Sequence, residues 1–189
     1  MMSHEARLES LEIQNVVAST AVGQELDLES LSMDLVGADY DPDNFPGLVY
    51  RTQEPKAASL IFRSGKIVCT GASSVDDVDR ALEQVFGELS KLGIPTEDRE
   101  EATIQNIVSS ADLGTTLNLN ALAIGLGLED VEYEPEQFPG LVYRIDEPSV
   151  VVLMFGSGKI VITGAKQVEH AREAINVVTD EIDSLGLLG

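Results

Sequence analysis

An α+β fold made by internal duplication, with about ten antiparallel strands and four helices gathered on one side, is predicted from three observations. The heptapeptide Phe45-Pro46-Gly47-Leu48-Val49-Tyr50-Arg51 returns unchanged as Phe138 to Arg144. The order strand, helix, four strands, helix can be read twice, with a copy offset of 91 residues at the start and 93 after a two-residue insertion. The strands carry apolar side chains on both faces, as in a sheet covered on both sides, yet four helices can cover only one. The other face is therefore expected to be open, apolar and suited to a partner.

Taken in order, residues 1–12 form a polar N-terminal segment that is expected to fray. The first repeat spans 13–94, a linker 95–103, and the second repeat 104–189. Ile13-Gln14-Asn15-Val16-Val17 and Ile104-Gln105-Asn106-Ile107-Val108 open the two repeats as strands. Leu26 to Val36 has leucines at helical spacing, and Leu117 to Leu126 is its counterpart. Acidic runs then lead into Phe-Pro-Gly, which fits a type II turn with Gly47 and Gly140 at positive φ. Leu48 to Arg51 is a strand, broken at Glu54-Pro55 as its copy is at Glu147-Pro148. Ala58 to Phe62 and Val150 to Phe155 follow, then Ser-Gly-Lys turns into strands ending in Thr-Gly-Ala. Each repeat closes with a long amphipathic helix, Ser74 to Leu92 and Val168 to Leu185. Ser74 is placed to cap the first and Gly93 to stop it.

The charge is unusual: 33 acidic against 12 basic residues give −21 in 189. Taken alone this disfavours nucleic acid, which prefers a basic partner. The acids are dispersed over the chain, which fits a protein working in molar salt, where the Debye length falls to about 3 Å. Cys69, the single cysteine, excludes a disulfide framework and reads as a small buried residue. No signal-peptide profile or membrane-length apolar run is found, so an intracellular, cytoplasmic location without membrane association is expected.

Phe45 and Phe138 each stand beside an acidic run, Asp39 to Asp43 and Glu132 to Glu136, where an ordinary core residue is badly placed. With the paired Gln-Asn-(Val/Ile)-Val, Phe-Pro-Gly-Leu-Val-Tyr-Arg, Ser-Gly-Lys-Ile-Val and Thr-Gly-Ala motifs, the chain resembles the TATA-box-binding family over residues 13 to 185. The resemblance implies a saddle, with a curved ten-stranded antiparallel sheet and four helices on its convex face. It implies a nucleoid-associated transcription initiation factor that binds and bends A·T-rich promoter DNA through the minor groove. Transcription factor B and RNA polymerase would then assemble on the complex. Phe45, Phe62, Phe138 and Phe155 would be the kinking wedges, and Asn15, Thr70, Asn106 and Thr163 the central polar readers. Val17, Leu60, Val68, Val108, Leu153 and Val161 would form an apolar floor. Arg51, Lys66, Arg144 and Lys159 would touch phosphates, and Glu134 and Glu136 would meet transcription factor B. Self-association through the concave face is expected when DNA is absent.

Other motifs fail on their own terms. The Ser-Gly-Lys segment lacks the first glycine of a phosphate loop, where Leu153 stands, and Ile160 replaces its Ser or Thr. A calcium loop starting at Asp39 has Asn44 for its glycine and Tyr50 for its last glutamate. His4 and His170 assemble with no nucleophile, so no catalytic group, metal or cofactor is expected. Two departures from the family stand out. The first long helix carries Asp76, Asp77, Asp79, Glu83 and Glu88 where basic residues are usual, and Lys56 is matched by Ser149 in the second repeat. The alternative reading is an interaction or ligand-binding module that uses the open face without DNA.

Overall fold

The computed structural model describes residues 2–188; Met1 and Gly189, the outermost residues of the N-terminal segment and the second repeat, lie outside the described residues. The elements are α1 His4–Glu9, β1 Glu12–Ala21, α2 Leu28–Asp34, β2 Ala38–Asp39, β3 Leu48–Gln53, β4 Lys56–Ile61, β5 Lys66–Ala72 and α3 Val75–Lys91. Then come β6 Thr103–Asp112, α4 Leu119–Gly125, β7 Val131–Glu132, β8 Leu141–Ile145, β9 Val150–Met154, β10 Lys159–Ala165 and α5 Val168–Ser184. They form two compact units: Asn15–Gln105, and the residues up to Gln14 together with those from Asn106 onward. Each unit holds five antiparallel strands, in the order β2-β3-β4-β5-β1 in the first and β7-β8-β9-β10-β6 in the second.

Alternation along each strand sorts the side chains into two sets. In the first unit Val16, Ala18, Ile61, Ile67 and Cys69 are fully buried. They share the core with Val78, Leu82, Val85 and Leu89 of α3, which packs on β3, β4 and β5. Each buried Val, Leu or Ile among them contributes roughly 1.5–3 kcal/mol by leaving water. The second unit repeats this with Ile107, Val152, Met154, Ile160 and Ile162 beneath Ile175, Val178 and Ile182 of α5. Burial also pushes the Cys69 thiol up, which keeps it an inert core group.

Local signals place the helices. The Ser74 hydroxyl accepts from Asp77 N–H at 3.0 Å, and Gly93 follows the helix at φ +87°. The short helices begin two residues later than their leucine spacing predicts, because Asp27 and Asn118 cap them, accepting from Ser30 and Ala121 N–H. The same bond holds the Asp27 carboxyl below its ordinary value.

A fifth helix, α1, is a correction to the expected four and to the expectation that the N-terminal segment frays. Ser3 caps it, and Arg7 is buried with its Nε donating to the Leu113 carbonyl at 2.7 Å. Tertiary bonds therefore hold a segment too short to be helical alone.

Candidate nucleic-acid interface

In each unit the strand residues that do not face the core form an open surface. Strand register lines them into rows. In the first unit Val49, Leu60, Val68 and Ser19 are successive cross-strand partners, and Arg51, Ala58 and Thr70 form the next row. In the second unit the rows are Val142, Leu153, Val161 and Ser110, then Arg144, Val151 and Thr163. Val17 and Val108 lie on the same faces by alternation along β1 and β6. The sequence-assigned floor residues Val17, Leu60 and Val68, and Val108, Leu153 and Val161, thus come together, each set within its own unit. Val49 and Val142 complete the floors and were missed; period-two reading of Leu-Val-Tyr-Arg, with its Leu buried, is the signal that finds them.

One end of each surface is aromatic. Phe45 meets Phe62 edge to face, with centroids 5.8 Å apart and planes at 64°, and Phe138 meets Phe155 at 5.8 Å and 70°. Phe45 is 37% and Phe138 40% exposed, unusual for rings in such contact. Gly47 and Gly140 lie beside the pairs, and neither adopts the positive φ that a type II turn requires. Their glycine identity has another cause. A Cβ on Gly47 would lie 2.8 Å from Phe45 and 3.0 Å from Phe62, and one on Gly140 would lie 2.7 Å from Phe138 and 2.9 Å from Phe155. The glycines make room for the ring pairs.

The other end is polar, and backbone bonds orient its asparagine amides. Gly71 N–H donates to Asn15 Oδ1 at 2.6 Å, so the amide oxygen is engaged and Nδ2 is the outward donor. Nδ2 bonds Thr70 Oγ1 at 3.2 Å, which leaves one amide hydrogen available, while the Thr70 hydroxyl lies 3.4 Å from Asn15 Oδ1 and donates to it. Asn106 repeats this, accepting from Gly164 N–H at 2.6 Å and bonding Thr163 Oγ1 at 3.1 Å. The arrangement depends on Gly71 and Gly164, at φ +89° and +94°, which form bulges where β5 meets β1 and β10 meets β6. Sequence reading also missed Ser19 and Ser110, whose hydroxyls meet Gln105 and Gln14 Nε2 at 2.8 and 2.9 Å.

Cations are distributed in keeping with this. The helical cations Arg80, Lys91 and Arg172 are spent in ion pairs with Asp77, Glu88 and Glu169 on their own helices. Arg51, Lys56, Arg63, Lys66, Lys159 and Lys166, all on sheet strands or their flanking turns, make no ion pair among the described residues. Arg144 differs from Arg51 in lying 3.7 Å from Glu132. Glu134 and Glu136 are exposed on the turn before Phe138, whose N–H is bonded to the Glu134 carbonyl. Among the described residues no group of acids, histidines or cysteines could hold a metal, and no helix is long and apolar enough to cross a membrane.

Comparison with known proteins agrees with these features. The family model described as transcription factor TFIID, or TATA-binding protein, matches residues 10–92 and 101–185. TATA-box-binding protein 2 of Haloferax volcanii is 72% identical over 181 residues, 96% of this chain and 97% of that protein. The TATA-box-binding protein of Haloarcula marismortui is 67% identical over 180 residues, 95% and 97% of the two chains. The solved Methanococcus jannaschii TBP superposes with a TM-score of 0.82 at 51% identity, covering 93% of this chain and 99% of that one. The chain belongs to the TATA-binding protein family of DNA-binding transcription initiation factors. Within that family it is of the halophilic archaeal type.

Proposed function

We propose that the two open faces hold the minor groove of A·T-rich promoter DNA and bend it, and that transcription factor B and RNA polymerase assemble on the bent complex. The observation that carries this reading is the twofold Asn–Thr arrangement, in which a backbone N–H holds each asparagine oxygen and one Nδ2 hydrogen of each amide is left to donate. In the minor groove A·T and T·A present only acceptors, N3 and O2. Guanine adds an amino group, which the Val and Leu floor would leave unpaired. Arg51, Lys66, Arg144 and Lys159 serve as phosphate contacts that orient the duplex without reading it. Such work places the protein with the chromosome in the cytoplasm. Free of DNA, the same apolar face self-associates.

Replacing each A·T pair of the site by I·C tests the reading. That exchange changes the major groove and keeps the minor-groove acceptors, so binding in molar potassium chloride should persist. G·C pairs should abolish it. Loss of binding with I·C would place the contacts in the major groove, and indifference to all three would favour an interaction module.

Two variants test parts of the surface. Gly47→Ala with Gly140→Ala should splay both ring pairs and cost about 1 kcal/mol of duplex binding per site, the low end for overpacking. Fluorescence transfer across the duplex reads the bend, and unchanged bending would mean the rings absorb the methyl groups. Glu134→Lys with Glu136→Lys should leave binary binding intact and cost roughly 2–5 kcal/mol in binding transcription factor B, the scale of an unpaired interfacial charge. Equal ternary complex formation by variant and parent would remove both residues from that interface.

A further inference from the structure

The two units finish the far end of their first long strand differently. In the second unit α1 packs on α5, with His4 Nε2 and Asn176 Oδ1 at 2.6 Å and the Ser10 hydroxyl accepting from Asp112 N–H at 2.9 Å. In the first unit irregular chain does this instead. The Thr20 hydroxyl donates to Glu100 O at 2.5 Å, and Glu100 N–H donates to Ala21 O at 2.8 Å. The positions correspond: Ala21 to Asp112 at an offset of 91, and Glu83 to Asn176 at an offset of 93. A helix with its side chains is about 10–12 Å across, and a single irregular strand is narrower. Beside α3 there remains a groove of about 530 Å³.

Its floor is Leu82 and Phe86, with Ala102 on the wall formed by the connecting chain. Its rim carries Asp79, Glu83 and Glu101. At the places of Asp79 and Glu83, α5 has Arg172 and Asn176, so the acidic rim is not something the repeats share. A cation already sits there. The Arg99 guanidinium lies 5.0 Å above the Phe86 ring centroid and 3.4 Å from Glu83. Asp79 and Glu101 have no ion pair among the described residues.

We infer that this groove docks a short helical segment of a partner protein, with arginines or lysines flanking an apolar residue, in the place on α3 that α1 takes on α5. Charge complementarity selects the partner. The rim repels nucleic acid and acidic peptides, and it completes its pairing with cations arriving beside Arg99. The groove belongs to the helix layer and shares no residue with the open sheet face, so docking is compatible with bound DNA.

The test uses the full chain in molar potassium chloride and a capped peptide of about 14 residues, long enough to hold some helix. Arginines flank a leucine stripe at helical spacing in one version, and glutamates replace them in the other. Amide resonances of Leu82, Phe86 and Ala102 should shift with the arginine peptide and not with the glutamate one. Glu83→Gln with Glu101→Gln should weaken binding at least about ten-fold, which is 1.4 kcal/mol. Ala102→Trp, which fills the groove from an exposed position, should block it, and both variants should keep parental melting and duplex binding. The inference fails if no groove resonance moves up to about 1 mM peptide. It fails equally if both peptides move the same resonances alike, or if the variants bind as the parent does.

Discussion

Phe138→Ala combined with Phe155→Ala is expected to leave the chain cooperatively folded and to abolish its bending of an A·T-rich duplex. The rings touch each other edge to face, and Phe138 is 40% exposed, so the fold loses far less than the ~3–5 kcal/mol of a fully buried phenylalanine. The edge-to-face contact itself is worth ~0.5–1.5 kcal/mol, a melting shift of a few degrees in a chain of this size. On DNA the balance reverses. Unstacking costs a few kcal/mol per base step, a figure for which this family is itself a type example, and ring burial has to offset it. At roughly 1.5–3 kcal/mol per ring, removing two should cost ~3–6 kcal/mol, about two to four decades in affinity. Fluorescence transfer should report a straight duplex at protein concentrations that saturate the parent. A variant that melts far below the parent yet bends DNA when folded would show that the rings are core residues.

The same pair of phenylalanines marks how far the sequence could be read. The rings and the floor valines and leucines were named from the family resemblance, and repetition in register and strand alternation, both readable in the chain, support that naming. Those are local signals, and they survive translation into three dimensions. Gly47 and Gly140 are different. Their place in Pro-Gly invited a backbone explanation, but the cause is crowding by two rings, Phe45 or Phe138 two residues back and Phe62 or Phe155 from the next hairpin turn, and no local pattern encodes the approach of the second. For α1 the loss has the same origin. Six residues carry too little periodicity to read as a helix, and the Leu113 carbonyl that holds Arg7 is 106 positions away. The Asn–Thr pairs were named from the family resemblance. Their orientation needs the bulges at Gly71 and Gly164, where a positive φ turns an N–H towards the asparagine oxygen.

Affinity for A·T-rich DNA is expected to stay level or rise as potassium chloride increases from moderate to molar concentration. A surface that only neutralised phosphates through Arg51, Lys66, Arg144 and Lys159 would show a log–log slope near −0.9 per contact. Over a roughly four-fold rise in salt, four contacts would then cost about a hundred-fold in affinity. Three features oppose that fall here. The chain carries −21, so its long-range field repels DNA, and added salt screens the repulsion. Arg144 already lies 3.7 Å from Glu132, so it brings a carboxylate with it to the phosphates. Cations held between such carboxylates and phosphates are taken up on binding, where an ordinary basic surface releases them. Burial of the Val, Leu and Phe surface is not screened at all. The acids beside the wedges, Asp39, Asp41 and Asp43 with Glu132, are placed to set the sign, and neutralising several with Asn or Gln should restore the usual decline. Isothermal titration across the salt series measures the slope directly. A steep loss of affinity in the unmodified chain would sink the argument, because it would mean that phosphate neutralisation outweighs both screening and cation uptake.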